Sequence, residues 1–179
     1  MTNQNIGVIV SSTRPTRIGP NVAAWIASQA PADVIAEIVD LAELNLPFLQ
    51  DVAMPASGEY DQPTTRQWAE KVSGYTGLII AVAEYNAGYT APLKNAIDTL
   101  FAEWRDKPVG LVGYGFGGAA RAIEQLKPVL RNVKALPVEG PKLVFNKHLS
   151  IEGDVLDGDV AEAVRNTYTD VLEAASELV

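Results

Sequence analysis

Nine consecutive positions, Ser11-Ser12-Thr13-Arg14-Pro15-Thr16-Arg17-Ile18-Gly19, carry four hydroxyl side chains and two guanidinium groups without one carboxylate. Hydroxyls and backbone N–H groups donate short hydrogen bonds to an oxyanion. An arginine adds a bidentate contact, and a helix beginning beyond the loop contributes its dipole. Phosphate is the ligand that suits such a loop. The same residues also read as a polar turn that caps a helix and leaves its arginines in water. The order Gly-x-x-x-x-Gly-Lys-Ser/Thr is absent, so this is not a Walker A loop.

Two further stretches have ligand-binding character. Ala83-Glu84-Tyr85-Asn86-Ala87-Gly88-Tyr89-Thr90 combines tyrosines, an amide and a glycine after a strongly apolar run. That mixture offers flat apolar surface with donors and acceptors, as a planar heteroaromatic ring requires. Glu84 reads either as a catalytic carboxylate or as an acceptor for backbone amides of its own loop. Gly113-Tyr114-Gly115-Phe116-Gly117-Gly118 matches Gly-x-Gly-x-x-Gly, and its four glycines let backbone approach a ligand where side chains would collide. It reads as a dinucleotide-binding turn or as a structural one. A phosphate cradle, an aromatic and amide platform and bare backbone together match the phosphate and planar ring of flavin mononucleotide (FMN).

Composition narrows the chemistry further. The 179 residues include no cysteine and one histidine, His148, which removes disulfides, thiolate nucleophiles, Fe–S clusters and Cys-zinc sites. A two-histidine metal pair cannot be built, and a Ser-His-Asp triad would have to run through His148. Redox chemistry therefore needs a borrowed cofactor. Asp154, Asp157 and Asp159 lack the EF-hand order and stand beside Gly153 and Gly158, so with His148 they read as a solvated turn and not as a metal site. The formal charge of −8 repels phosphate backbones and anionic bilayers, so neither nucleic acid nor membrane is an expected partner. Met1-Thr2-Asn3-Gln4-Asn5 carries no basic side chain, and the apolar runs Ile6 to Val10 and Leu78 to Ala83 are too short for a signal core or a membrane span. A soluble, cytoplasmic protein of one domain, residues 1–179, is expected.

The elements that must position these loops follow from hydrophobic period. Strands are expected at Ile6 to Val10, Val34 to Val39, Gly77 to Ala83 and Pro108 to Gly113, with a fifth inside Ala135 to Val144 interrupted by Pro137 and Pro141. Helical spacing appears at Asn21 to Ala30, Thr64 to Ser73, Thr90 to Trp104, Gly118 to Leu130 and Val160 to Leu178. Thr90 suits an N-cap, and Trp104, ending its stripe, suits either the core or a subunit interface. Leu41 to Gln62 has no sustained period and is expected to be a surface excursion with one short helical turn. This βα order predicts an α/β fold, a flavodoxin-like doubly wound five-stranded parallel sheet of order 2-1-3-4-5 with helices on both faces. Ligands of such sheets lie beyond the carboxyl ends of the strands, where all three loops emerge.

Glu84-Tyr85-Asn86 followed by Pro92-Leu93-Lys94-Asn95-Ala96-Ile97-Asp98 resembles the Pro-Glu-Tyr-Asn and Leu-Lys-Asn-Ala-Ile-Asp segments of the NADPH-dependent FMN reductase family, a flavodoxin-like group that includes quinone, azo-dye and chromate reductases. Ser12-Thr13-Arg14 is similar to its phosphate loop, and Gly115 to Gly118 to its glycine-rich turn. Ser11 stands where the family commonly has glycine, and Ala83 where it has proline. The resemblance implies FMN as cofactor and NADPH or NADH as co-substrate, with a small-molecule electron acceptor and a homodimer or homotetramer. It places Ser12, Arg14, Arg17 and the Ile18-Gly19 backbone on the phosphate, Glu84 to Asn86 on the ring or ribityl chain, and Tyr114 to Gly118 on the ring's far side. Hydride then passes directly between cofactors with no side-chain nucleophile, and backbone N–H groups of the second loop are expected to meet the ring's developing charge. A flavodoxin-type electron carrier and a flavin-free dinucleotide-binding protein are the competing readings.

Overall fold

Strands form where small and β-branched apolar residues run without polar interruption, and the run's depth in the sheet follows from its pattern. The computed structural model describes residues 4–156 and 158–178. It contains β1 (Gln4–Val10), α1 (Gly19–Ser28), β2 (Val34–Asp40), α2 (Leu41–Leu44), α3 (Pro63–Ser73), β3 (Gly77–Ala83), α4 (Ala91–Asp98), β4 (Pro108–Gly115), α5 (Ala120–Asn132), β5 (Leu136–Val144) and α6 (Asp159–Ser176). The five strands make one parallel sheet of order β2-β1-β3-β4-β5. All of β3 is buried, as its uninterrupted Gly-Leu-Ile-Ile-Ala-Val-Ala requires. Edge strand β2 leaves Ile35 and Ile38 exposed.

Each sheet face carries its own core. On one side α3, α4 and α5 cover the sheet around Trp68 and Trp104, whose rings meet edge to face at 6.3 Å. Their indole N–H groups donate to the Ala96 and Ile97 carbonyls at 2.8 and 3.1 Å, so both rings are buried with no unsatisfied donor. On the other side α1 and α6 pack through Val22, Ile26, Val164 and Val171, and the Tyr168 hydroxyl donates to the Ile26 carbonyl at 3.1 Å.

Three element boundaries differ from the sequence reading for physical reasons. The helix expected over Thr90 to Trp104 ends at Asp98. The Thr99 hydroxyl turns back to the Asn95 carbonyl at 2.7 Å, and a separate short 3₁₀ turn, Ala102–Trp104, returns Trp104 to the core, which settles its place there and not on a subunit interface. Strand β5 is continuous despite Pro137 and Pro141. Its register shifts opposite Leu111 and Gly113, where a Cβ on Gly140 would meet the Leu111 carbonyl oxygen at 2.5 Å, and as an edge strand it tolerates missing donors. Strand β4 runs on to Gly115, and α5 starts only at Ala120 because Gly118 and Ala119 hold positive φ.

Candidate active site

The loop after β1 divides its hydroxyls between fold and cleft. Ser11 Oγ donates to the Ala81 carbonyl at 2.7 Å and accepts from the Ala83 N–H at 3.0 Å, while Thr90 Oγ1 donates to the Ser11 carbonyl at 2.6 Å. Ser11 thus stitches β1 to β3 and has no proton left for a ligand. Ser12 Oγ is the opposite case: it is buried beside the Tyr114 phenol yet has no hydrogen bond of proper geometry. Thr13 faces a separate cavity of about 360 Å³, beside Leu41, Leu46 and Phe48.

The two arginines also part company. Arg17 Nη2 donates to Asp40 Oδ2 at 2.8 Å, in a pair with side chains only 19% and 9% exposed, and Nη1 donates to the Arg14 carbonyl at 3.3 Å. Asp40 Oδ1 meanwhile caps α2 by accepting from the Ala42 N–H at 2.9 Å. Arg17 Nε remains buried without a partner. Arg14 is exposed and is the cation left facing solvent at the mouth of the cleft.

Helix α1 begins at Gly19 with Ile18 at its N-cap and no side-chain cap bond, so its first-turn N–H groups look for an acceptor outside the helix. Gly19 lets the Ser12 and Tyr114 hydroxyls close on that helix start. A Cβ there would sit 2.2 Å from Ser12 Oγ and 2.9 Å from the Tyr114 hydroxyl. Burial pushes the Tyr114 phenol up to about 12, so it stays a neutral hydroxyl at physiological pH.

The loop after β3 is a tight turn. The Tyr85 and Gly88 N–H groups donate to each other's carbonyls at 2.9 and 3.0 Å, around Asn86 and Ala87 at φ 50° and 66°. Two successive positive φ values are the mark of a type I′ turn. These two N–H groups are therefore committed within the turn, and it is the loop's other amides that are left to face a ring. Glu84 bonds to amides as one reading had it, but to those of α5 and not of its own loop: Oε2 accepts from the Arg121 and Ala122 N–H groups at 3.1 and 3.2 Å. Asn86 is exposed, and Tyr89 packs against the Trp68 core, so neither side chain lines the cleft.

The loop after β4 folds back on its own strand. A Cβ on Gly113 would meet the Gly118 carbonyl oxygen at 2.1 Å, and one on Gly118 would meet Lys142 Cβ at 2.5 Å. Those two glycines serve the protein's own packing. At Gly117 an added Cβ would meet nothing within 4 Å. Bare backbone there fills no internal need and leaves open surface on the cleft.

These loops enclose a cleft of about 380 Å³, within the range of small-molecule sites. It brings together Ser12, Arg14, Arg17 and Ile18 from the first loop, Ala83, Glu84 and Tyr85 from the second, and Tyr114, Gly115 and Gly117 from the third. Ser11, Gly19 and Gly118 stand behind this lining as supports. Sequence reasoning missed Phe145 and Ile151, which reach the cleft from the segment after β5. The Phe116 ring, 80% exposed, meets Phe145 edge to face at 5.1 Å. The only available signal was that β5 ends at the same edge of the sheet as the other loops. In that segment the Val144 N–H lies 3.1 Å from His148 Nδ1, closing a turn. Among the described residues no group of three His, Asp or Glu is placed to hold a metal; Asp157 lies outside them.

The sequence pattern of the NADPH-dependent FMN reductases matches residues 4–149. The chain belongs to the NADPH-dependent FMN reductase family. It is 29% identical to the NAD(P)H-dependent FMN reductase ntnL of a Nectria species over 97% of this chain and 94% of that protein. It is 31% identical to a Burkholderia 2-hydroxy-1,4-benzoquinone reductase over 89% and 87% of the two chains. Among solved structures, FerB, a flavoenzyme NAD(P)H:(acceptor) oxidoreductase from Paracoccus denitrificans, superposes with a TM-score of 0.75 at 20% identity, covering 97% of this chain and 98% of that one. That likeness shows the flavodoxin-like fold. The cleft holds a buried hydroxyl and a buried guanidinium N–H without partners, an uncapped helix start and a bare glycine backbone, groups whose chemistry suits a phosphate followed by a flat ring.

Proposed function

We propose that this protein is an NAD(P)H-dependent FMN oxidoreductase that holds its flavin at the carboxyl ends of β1, β3 and β4. The observation that carries the site assignment is the pair of buried donors without acceptors, Ser12 Oγ and Arg17 Nε, at the uncapped start of α1. A buried donor left unsatisfied costs about 1–3 kcal/mol, and a phosphate would relieve both donors and the helix end at once.

FMN held in this cleft would supply a hydride-accepting ring that takes electrons from NAD(P)H for a second substrate. The protein's part is to bind, orient and exclude. Ser12, the Nε–H of Arg17, the first-turn N–H groups of α1 and Arg14 would hold the phosphate, with the Arg17 guanidinium fixed in place by Asp40. The Glu84-Tyr85 backbone and the Gly115 to Gly117 plateau flank the ring. Tyr114 supports Ser12 as a neutral phenol and adds no charge to the cleft. No side chain is assigned as an obligate acid or base.

The acceptor is a small molecule, and the benzoquinone reductase relative supports a quinone. The exposed Phe116 ring at the cleft mouth is suited to a flat aromatic acceptor. We further propose one functional domain that assembles as a homodimer or homotetramer in the cytoplasm. Phe48, Val52 and Met54, 80%, 92% and 78% exposed, support a subunit contact in the segment after α2. No helix among the described residues is long and apolar enough to cross a membrane.

Titration with FMN and with riboflavin, which lacks the phosphate, tests the cradle. FMN is expected to bind at least about a hundredfold more tightly, the effect of one or two charge-assisted hydrogen bonds. Equal affinities would remove the phosphate from this loop.

A further inference from the structure

Helix α5 starts without a capping side chain. Ala119 holds its N-cap position at φ 55°, and the Ala120 N–H bonds to the Gly117 carbonyl at 3.3 Å, so the Arg121 and Ala122 N–H groups need an acceptor from elsewhere. Glu84 supplies one across 37 positions of sequence, through the bonds to Arg121 and Ala122 described above. A second strut joins the same two elements. Gln125, one turn further along α5, donates from Nε2 to the Ala87 carbonyl at 2.9 Å. The β3 turn is thus tied to α5 both at its first residue and at its tip.

The glycine loop closes through its own turn bond, the Gly118 N–H to the Gly115 carbonyl at 3.1 Å, and the Phe145 N–H donates to the same carbonyl at 3.0 Å. Gly115 and Gly118 take φ values of 132° and 59°, and an added Cβ at Gly115 or Gly117 would meet nothing. A glycine-rich turn keeps its shape only while such bonds and its two ends are held. Its downstream end is the start of α5, where Glu84 bonds.

We infer that Glu84 is a positioning residue for the reaction proposed above: its carboxylate caps α5 and sets the spacing between the β3 turn and the glycine loop across the cleft. The inference rests on that reading of the cleft as a flavin site. The carboxylate also fills the anion position that Gly-x-Gly-x-x-Gly followed by a helix offers a pyrophosphate. An external phosphate finds two of those N–H groups already bonded and is directed to the free start of α1.

The test compares Glu84→Ala and Glu84→Gln with the wild-type chain. Three quantities are read: amide hydrogen exchange over residues 115–122, FMN dissociation constant, and the visible circular dichroism of bound FMN. In Glu84→Ala, exchange at Arg121 and Ala122 is expected to rise about tenfold, the consequence of losing a cap. FMN affinity falls by a similar factor and the dichroism changes shape. Glu84→Gln keeps an acceptor oxygen and restores affinity to within about threefold of wild type. Unchanged exchange and affinity in Glu84→Ala would overturn the inference. So would a Glu84→Gln variant as weak as Glu84→Ala with exchange still slow, since the charge would then act on the flavin itself. Should Glu84→Ala fail to fold, Glu84→Asp, whose shorter carboxylate falls short of α5, takes its place: faster exchange at 121 and 122 supports the tie, and its absence overturns it. If the wild-type chain binds no FMN, the flavin reading fails on its own, while the exchange comparison still decides the tie.

Discussion

Gly19→Ala is the substitution whose consequence follows most directly from the geometry. Its methyl carbon would lie 2.2 Å from Ser12 Oγ, 2.9 Å from the Tyr114 hydroxyl and 3.0 Å from Val10 Cγ1. Tyr114 and Val10 are buried in the sheet-side core and have little room to yield. Ser12 has a single side-chain torsion, so relief comes from rotating Oγ out of the cradle. Overpacking of this size costs about 1–3 kcal/mol of stability. Loss of one hydrogen bond to a charged phosphate costs a further 1.5–3 kcal/mol in binding, or roughly tenfold to a hundredfold in FMN affinity. Urea unfolding followed by far-ultraviolet dichroism reads the first quantity, and quenching of flavin fluorescence reads the second. Riboflavin affinity should stay near that of wild type, because the ring's contacts are untouched. The double variant Ser12→Gly/Gly19→Ala should recover much of the stability and none of the FMN affinity. Unchanged FMN affinity in Gly19→Ala, or an equal loss for FMN and riboflavin, would refute the placement of phosphate between Ser12 and α1.

Other expectations follow from the same contacts. Arg14→Ala should weaken FMN binding by about 1 kcal/mol at low salt, and by less at high salt because this cation is exposed; a salt-independent loss would contradict its role. Asp40→Ala removes the α2 cap and leaves Arg17 half-buried without its carboxylate, for a combined loss of about 3 kcal/mol in urea unfolding, while Asp40→Asn, which keeps the cap, should lose less. Tyr114 titrates near 12 in the folded chain against about 10 unfolded. Its contribution is complete below pH 10 and is lost as pH rises toward 12, with a slope approaching 1.4 kcal/mol per pH unit. Tyr114→Phe should remove that part of the alkaline decline, measured by unfolding between pH 9 and about 12.

The central strands could be read directly because burial on both faces writes itself as an uninterrupted apolar run, as in Gly77–Ala83. Helix limits were less legible where periodicity and chain path diverge. Trp104 keeps the phase of the α4 stripe, yet it reaches the core through a separate turn after Thr99 bends the chain away. The site was legible by residue type and not by role. Ser11 and Ser12 are the same residue in sequence, but the pleat sends one hydroxyl into the β1–β3 seam and the other into the cleft. Arg17 and Arg14 are equally basic, and only the arrival of Asp40 from the end of β2 separates them. The bond from Glu84 to α5 joins segments 37 positions apart, and no local spacing announces it.

The most direct measurement is an absorbance spectrum of the purified protein mixed with FMN and desalted, followed by NADPH or NADH under anaerobic conditions. A flavin oxidoreductase built on this cleft retains the yellow colour through desalting and loses it when reduced nicotinamide is added. Protein that emerges colourless at micromolar concentration, or colour that neither nucleotide bleaches, would contradict the account.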